Sequence, residues 1–246
     1  MVHRRVARAG AGPGSLMKLL FVASAPMEFR GILTHLEGRR QISIGVDWAR
    51  TAQLKGHDVL LVANGAGARR AAAAVDSAWT IFPAAHVISI GFCGALDPAL
   101  SVADVVLGTC IAGPSRRYGA VPVTGKAVAA GVVCSIDHVA RSAAEKRLLR
   151  QTGGIAVEME AAGVADRAES LGLPFSCVRV VTDLAGEDMA NDFNRALRFD
   201  GHFATMRIFR DALRHPAARF PELIRLQQRC MRAARTLGDF FADCRF

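Results

Sequence analysis

From Met17 onward, short runs of apolar residues alternate with longer amphipathic stretches. KLLFVAS, QISIGV, HDVLLVA, HVISIGF, DVVLGTCI, GVVCSI, GIAVEM and FSCVRVV are rich in Val and Ile, bounded by Gly, Pro, Asp or Asn, and read as short buried strands. Between them, MEFRGILTHLEG, GARRAAAAVDSAWTIF, DHVARSAAEKRLLRQ and EAAGVADRAESLG have helical spacing. This alternation predicts an α/β fold, a sheet covered by helices, in one domain over residues 17–214. Residues 192–214 read as one long helix stopped by His215 and Pro216. The segment 215–246 reads as a separate basic amphipathic helix, with Phe220, Leu223, Ile224, Met231, Ala234, Leu237 and Phe241 at helical spacing and Arg225, Arg229 and Arg232 on another face. That helix either packs on the domain or a dimer partner or lies on an anionic membrane surface.

Composition narrows the picture. The formal net charge of +9 lies at the two ends: residues 1–16 carry three Arg and no acid, and residues 195–246 carry 11 Arg against five Asp or Glu. The body is neutral and has no basic stripe interleaved with aromatics, so nucleic acid is not an expected partner. The six cysteines are scattered, with no CxxC pair and no histidine at metal-ligand spacing, which predicts free thiols, a reducing cytoplasmic compartment and no metal. Residues 1–16 lack the apolar middle of a secretion signal and are expected to be a disordered or misassigned extension.

In α/β sheets ligands collect at the carboxyl ends of strands. Glu28, Gly91 to Gly94, Glu160 and Asp183 therefore stand out as polar or permissive groups just after strands. Glu158 and Glu160 straddle Met159 where a strand gives way to a helix, so only one of the two can face a given ligand. Gly91 and Gly94 allow close backbone approach. NGAGARRAAAA, with Arg70 in place of the third glycine of a dinucleotide fingerprint, reads as a tight strand-to-helix turn.

Taken in order, MKLLFVASAPMEFRGIL, SIGFCGALDPALSVADVVLGT, AVEMEAAGVADRA and PFSCVRVVTDLAGED resemble the nucleoside phosphorylase and nucleosidase superfamily, nearest its methylthioadenosine/S-adenosylhomocysteine nucleosidase-like branch. The resemblance implies a three-layer α/β/α fold with a central mixed sheet, a homodimer, a purine nucleoside substrate, and no metal or organic cofactor. By position it implies that Glu28 activates the attacking water, helped by Arg179. Glu160 then grips the ribose hydroxyls, Met159 packs on the sugar, and Asp183, with Thr182 beside it, protonates N7 of the purine. Gly91 and Phe92 belong to the substrate-binding glycine segment.

Breaking an N-glycosidic bond builds positive charge on the ribose and negative charge on the base, which is why acids and bases are needed on both sides. The phosphorylases of this superfamily hold phosphate with an arginine and a serine, at whose positions stand Ser89 and Phe92. This favours water as nucleophile, with phosphorolysis, or a catalytically silent nucleoside-binding or membrane-associated protein, as the alternatives. The short segment TCIAGPSRRYGAVPVTGKAVAA lacks a long loop over a small 5′ substituent. Together with the basic tail (219–246) and the DHVA…EK segment, it is similar to the hopanoid-associated branch, which implies adenosylhopane ahead of methylthioadenosine, S-adenosylhomocysteine or futalosine, and a peripheral position at the inner membrane surface.

Overall fold

The structure, a computed structural model, describes residues 16–127 and 129–246. The expectation for residues 1–16 therefore lies, Leu16 aside, outside the described residues. Among the described residues ten strands build one mixed sheet: β1 Lys18–Ala23, β2 Glu37–Gln41, β3 Trp48–Leu54, β4 His57–Ala63, β5 His86–Ala95, β6 Val105–Ala112, β7 Arg117–Gly119, β8 Ala129–Ser135, β9 Gly154–Glu158 and β10 Phe175–Asp183. The strand order is β10-β6-β8-β9-β5-β1-β4-β3-β2, β7 pairs with β6, and β10 also pairs with β5. Strands β5, β9, β8, β6 and β10 thus close on one another, while β1, β4, β3 and β2 extend from β5 as an open wing. The parallel neighbours β4, β1, β5 and β10 bring their carboxyl ends to one edge.

Each face of the sheet has its own apolar core. On one face Leu20, Val22, Leu60 and Val62 pack against α1 (Ala68–Trp79) and α3 (Ala161–Ser170), whose alanines allow close approach. On the other face Leu19, Phe21, Leu61, Ile88 and Val180 pack against α6 (Pro216–Asp243) through Ala233, Leu237, Phe240 and Phe241. Phe21 meets Phe241 edge-on at 5.1 Å between ring centroids. Helix α2 (Ala143–Gln151) runs into β9, and α4 (Phe193–Ala196) and α5 (Thr205–Ala212) lie between β10 and α6.

Three sequence expectations are corrected. MEFRGILTHLEG does not form an α-helix but two 3-10 turns, Pro26–Phe29 and Ile32–His35, followed directly by β2. The Glu28 carboxylate turns back onto the amides of Ser24 and Ala25, which tightens the chain there. QISIGV contributes only Gln41 to β2, and the neighbouring strand β3, WARTAQL, escapes pattern reading because its inward positions include the small Ala49 and Ala52. The long helix expected over 192–214 is broken between α4 and α5, where Gly201 at φ 78° lets the chain fold back so that Ala66 donates its amide to the Gly201 carbonyl. The break at His215 and Pro216 falls where it was expected: α5 ends at Ala212, and Pro216 begins α6, where its missing amide costs nothing.

The carboxyl-terminal half of α6 is the packed alternative: Ala233, Ala234, Leu237, Phe240 and Phe241 are buried. Arg229, expected on a free basic face, makes a bidentate pair with Glu187 at 2.6 and 2.8 Å, which holds the Glu187 carboxyl down at about 2. Gly31 and Gly238 let α6 approach the first 3-10 turns so closely that a Cβ at either would overlap backbone. Gly238→Val is therefore expected to lower stability by about 1–3 kcal/mol through forced separation, read as a lower midpoint in chemical denaturation, with an unchanged midpoint excluding this contact as a fastening point.

Candidate active site

The shared carboxyl edge of the strands opens into a cavity of about 190 Å³ lined by Ser24, Glu28, Ala66, Phe92, Gly94, His138, Val139, Glu158, Met159, Glu160, Thr182, Asp183, Met189 and Phe203, among others. Of the residues picked out from sequence, Glu28, Phe92, Met159, Glu160, Thr182 and Asp183 line it, and Gly91 and Arg179 stand behind it.

Glu28 enters from the turn after β1 and is 4 % exposed. Its Oε2 accepts from the Ser24 amide, the Ser24 hydroxyl and the Ala25 amide, each at 2.8 Å, and its Oε1 from the Phe92 amide at 3.0 Å. Phe92 therefore serves Glu28 through its backbone, whatever its side chain. Gly91, at φ 149°, makes room for the carboxylate: a Cβ there would sit 2.5 Å from Oε1.

Glu158 and Glu160 divide the work at the end of β9. Glu158 Oε2 accepts from the Glu160 and Ala161 amides at 2.9 and 2.8 Å, capping α3, and pairs with the fully buried Arg179 at 2.6 Å. Glu158 Oε1 is buried without a protein partner. Arg179 also donates to the Ser89 hydroxyl at 2.7 Å and the Val178 carbonyl at 3.1 Å, so its charge reaches the cavity through Glu158 and not by direct contact. Glu160 heads α3 and accepts from the Gly67 amide at 2.9 Å. The GAG turn after β4 thus holds Glu160, while Arg70 is tied to Asn64 and Asp47. Burial, reinforced by the charges of Glu158 and Glu28, pushes the Glu160 carboxyl up to about 8.

Asp183 ends β10 at a register shift opposite Gly94, and the shift leaves both Thr182 and Asp183 on the cavity wall. The Thr182 hydroxyl lies 3.1 Å from Asp183 Oδ1. Lys146 Nζ, on α2, donates to Asp183 Oδ2 at 2.6 Å and to the Leu184 carbonyl at 2.8 Å. Gly94 gives this carboxylate its space, since a Cβ there would stand 2.7 Å from Oδ2. Lys146 is the residue that sequence reasoning missed, because helical spacing does not say which strand end a long side chain on α2 will reach. His138, between Asp137 at 2.7 Å and Glu145 at 2.5 Å, also lies on the cavity wall, and these acids hold its imidazolium above the ordinary histidine range.

A family model described as the phosphorylase superfamily matches residues 22–122 and 120–207. The chain belongs to the phosphorylase superfamily. It is an enzyme of the nucleosidase and nucleoside phosphorylase kind. It is 28% identical over 192 residues to the 5′-methylthioadenosine/S-adenosylhomocysteine nucleosidase of Marinomonas sp., covering 65% of this chain and 82% of the relative. It is 24% identical over 204 residues to the corresponding nucleosidase of Chromohalobacter salexigens, covering 70% and 87%. The fold matches the S. pneumoniae 5′-methylthioadenosine/S-adenosylhomocysteine nucleosidase with TM-score 0.67, at 18% identity over 92% of this chain and 99% of that one. It matches the futalosine hydrolase of Helicobacter pylori with TM-score 0.68, at 16% identity over 92% and 95%.

The raised Glu160 carboxyl has a consequence for stability. The folded superfamily member keeps a proton that the unfolded chain releases near the ordinary glutamate value of 4.5. Stability therefore falls as pH rises from about 4.5 to about 8. Glu160→Gln is expected to flatten this part of the profile, measured as the denaturation midpoint at pH 6 and pH 9; equal slopes in both proteins would overturn the assignment.

Proposed function

We propose that the chain hydrolyses the N-glycosidic bond of a purine nucleoside, adenine being the base, whose ribose is modified at the 5′ position. The observation that carries this reading is the convergence of Glu28, Glu160 and Asp183 on one cavity, each held by different partners. Asp183 is the acid that supplies a proton to N7 as the base departs. Glu160 accepts hydrogen bonds from the ribose hydroxyls, with Met159 packed beside the sugar. Glu28, pinned by four donors, is the base that takes a proton from the attacking water. Arg179 acts on that water through Glu158, whose free Oε1 provides a further acceptor.

Water is favoured over phosphate by charge. Glu28 and Glu158 face the cavity as carboxylates, and its lining includes neither Lys nor Arg. A phosphate dianion would meet these charges, while the His138 imidazolium on the wall is already paired with Asp137 and Glu145.

The 5′ substituent is read as large and apolar, with adenosylhopane the specific candidate. Met189 and Phe203 line the cavity, and from Phe203 an apolar surface continues outward. Phe199, Phe203, Met206, Phe209, Leu213 and Ile224 are all exposed, Phe199 to 87% and Met206 to 78%. Arg207, Arg210, Arg214 and Arg225 are exposed among them. This combination suits a peripheral position on an anionic membrane, reached through α5 and the start of α6 and not through the packed end of the tail. No helix among the described residues is long and apolar enough to cross a membrane. The scattered free cysteines support a cytoplasmic location, and the family resemblance supports a homodimer.

Purified protein is expected to release adenine from 5′-methylthioadenosine and, with a higher kcat/KM, from a long-chain 5′-alkyl adenosine, in each case without phosphate. Phosphate dependence would make it a phosphorylase, and no adenine from either substrate would overturn the purine assignment. Asp183→Asn is expected to lower kcat about 10²–10⁴-fold, while Glu160→Gln raises KM as well; near-normal steady-state rates in either variant would refute the assigned role. The double change Met206→Glu, Phe209→Glu should reduce pelleting with phosphatidylglycerol-containing liposomes and leave methylthioadenosine turnover unchanged, whereas undiminished pelleting would remove α5 as the contact.

A further inference from the structure

Helix α2 is capped by Ser142, whose hydroxyl accepts from the Glu145 amide, and along its whole length Lys146 is the buried residue. A buried position on a surface helix is normally filled by an apolar side chain, since a buried ammonium carries a desolvation cost that its partners must offset. Here the cation is fully buried, and within ion-pairing distance its partner is the Asp183 carboxylate at 2.6 Å. The Leu184 carbonyl at 2.8 Å fixes the ammonium from the other side. Lys146 itself does not line the cavity. Arg229, a further cation close to the end of β10, pairs with Glu187 and reaches the Thr182 carbonyl at 3.5 Å.

We propose that Lys146 is a positioning residue that makes Asp183 an effective acid toward the departing purine. The inference rests on the hydrolase reading and deepens it. In that reaction the C1′–N9 bond breaks and its electron pair passes to the purine. Water oxygen bonds to C1′ while the water proton goes to Glu28, and the Asp183 proton goes to N7. Asp183 is left as a carboxylate, and Glu28 returns its proton to solvent as Asp183 takes one up, so the cycle closes. Asp183 takes up its proton as the purine binds, and the negative charge it regains during bond breaking arises beside an ammonium already in place. Preorganised charge of this kind lowers the barrier because nothing has to reorient at the moment of reaction. The same bond anchors Oδ2, while Gly94 leaves the carboxylate the space it needs.

The test compares wild type, Lys146→Met, Lys146→Arg and Asp183→Asn. Each is assayed for kcat and KM on 5′-methylthioadenosine and for the Kd of 5′-methylthiotubericidin, a 7-deaza analogue that lacks the proton-accepting nitrogen. Lys146→Met is expected to lose about 100-fold in kcat, with KM and the analogue Kd each within about 3-fold of wild type, because the ribose and base contacts remain. Lys146→Arg keeps the cation and should recover at least about 10-fold over Lys146→Met. The proposal is overturned if Lys146→Met keeps kcat within about 3-fold, if it loses analogue affinity in parallel with kcat, or if arginine is no better than methionine. Absence of adenine release by wild type would instead sink the hydrolase reading itself, whereas loss in Asp183→Asn alone would leave that reading standing and remove Lys146 from it.

Discussion

Arg179 and Glu158 form a fully buried ion pair between β10 and the end of β9, with Ser89 of β5 completing the arginine's bonding on a third strand. Burying two charges is costly unless geometry and further hydrogen bonds offset their desolvation, and removing either partner would strand the other. Here the offset is shared with secondary structure, since the same Glu158 oxygen accepts the first amides of α3. The pair therefore fixes where β9 ends, where α3 begins and how both stand against β10. With that junction set, Glu160 one residue before α3 can face the cavity and Asp183 can face it from β10.

The closed arrangement of β5, β9, β8, β6 and β10 gives the site its second constraint, namely space. Carboxylates must be brought close to a strand end without colliding with it, and β5 supplies glycine at the two critical positions. Gly91 leaves room for Glu28, and Gly94 leaves room for Asp183. Each acid is then held by a different set of donors: backbone amides and a hydroxyl for Glu28, the Gly67 amide for Glu160, and Lys146 with Thr182 for Asp183. Different environments are what allow acids of the same type to differ in chemistry within one cavity.

Beyond the sheet, the chain between β10 and the packed part of α6 belongs half to the domain and half to solvent. Glu222 is buried and accepts from the Ala190 and Asn191 amides at 2.7 and 2.8 Å, and Arg229 grips Glu187, so the stretch after Asp183 is fastened to α6. The intervening α5 is left displaying Met206, Phe209, Arg207 and Arg210 to solvent. The packing that secures the end of β10 at the cavity and the exposure that distinguishes this surface are thus two outcomes of one excursion of the chain.

The alternation of apolar runs and helical stretches was enough to place most strands and α1, α2 and α3, because burial imposes its period on every consecutive residue. The acids after strands were visible for the same reason: a charged residue that ends an apolar run is marked by its neighbours. Where the marks were weak, reading failed. Strand β3 buries alanines, the 192–214 segment hides its break in one glycine, and the tail carries an amphipathic pattern that serves packing as well as any membrane. Lys146, the burial of Arg179 behind Glu158, and the hold of Gly67 on Glu160 were settled only by tertiary structure. Each joins residues 21 to 93 positions apart, and periodicity along a chain contains no information about which distant element will stand within hydrogen-bond reach.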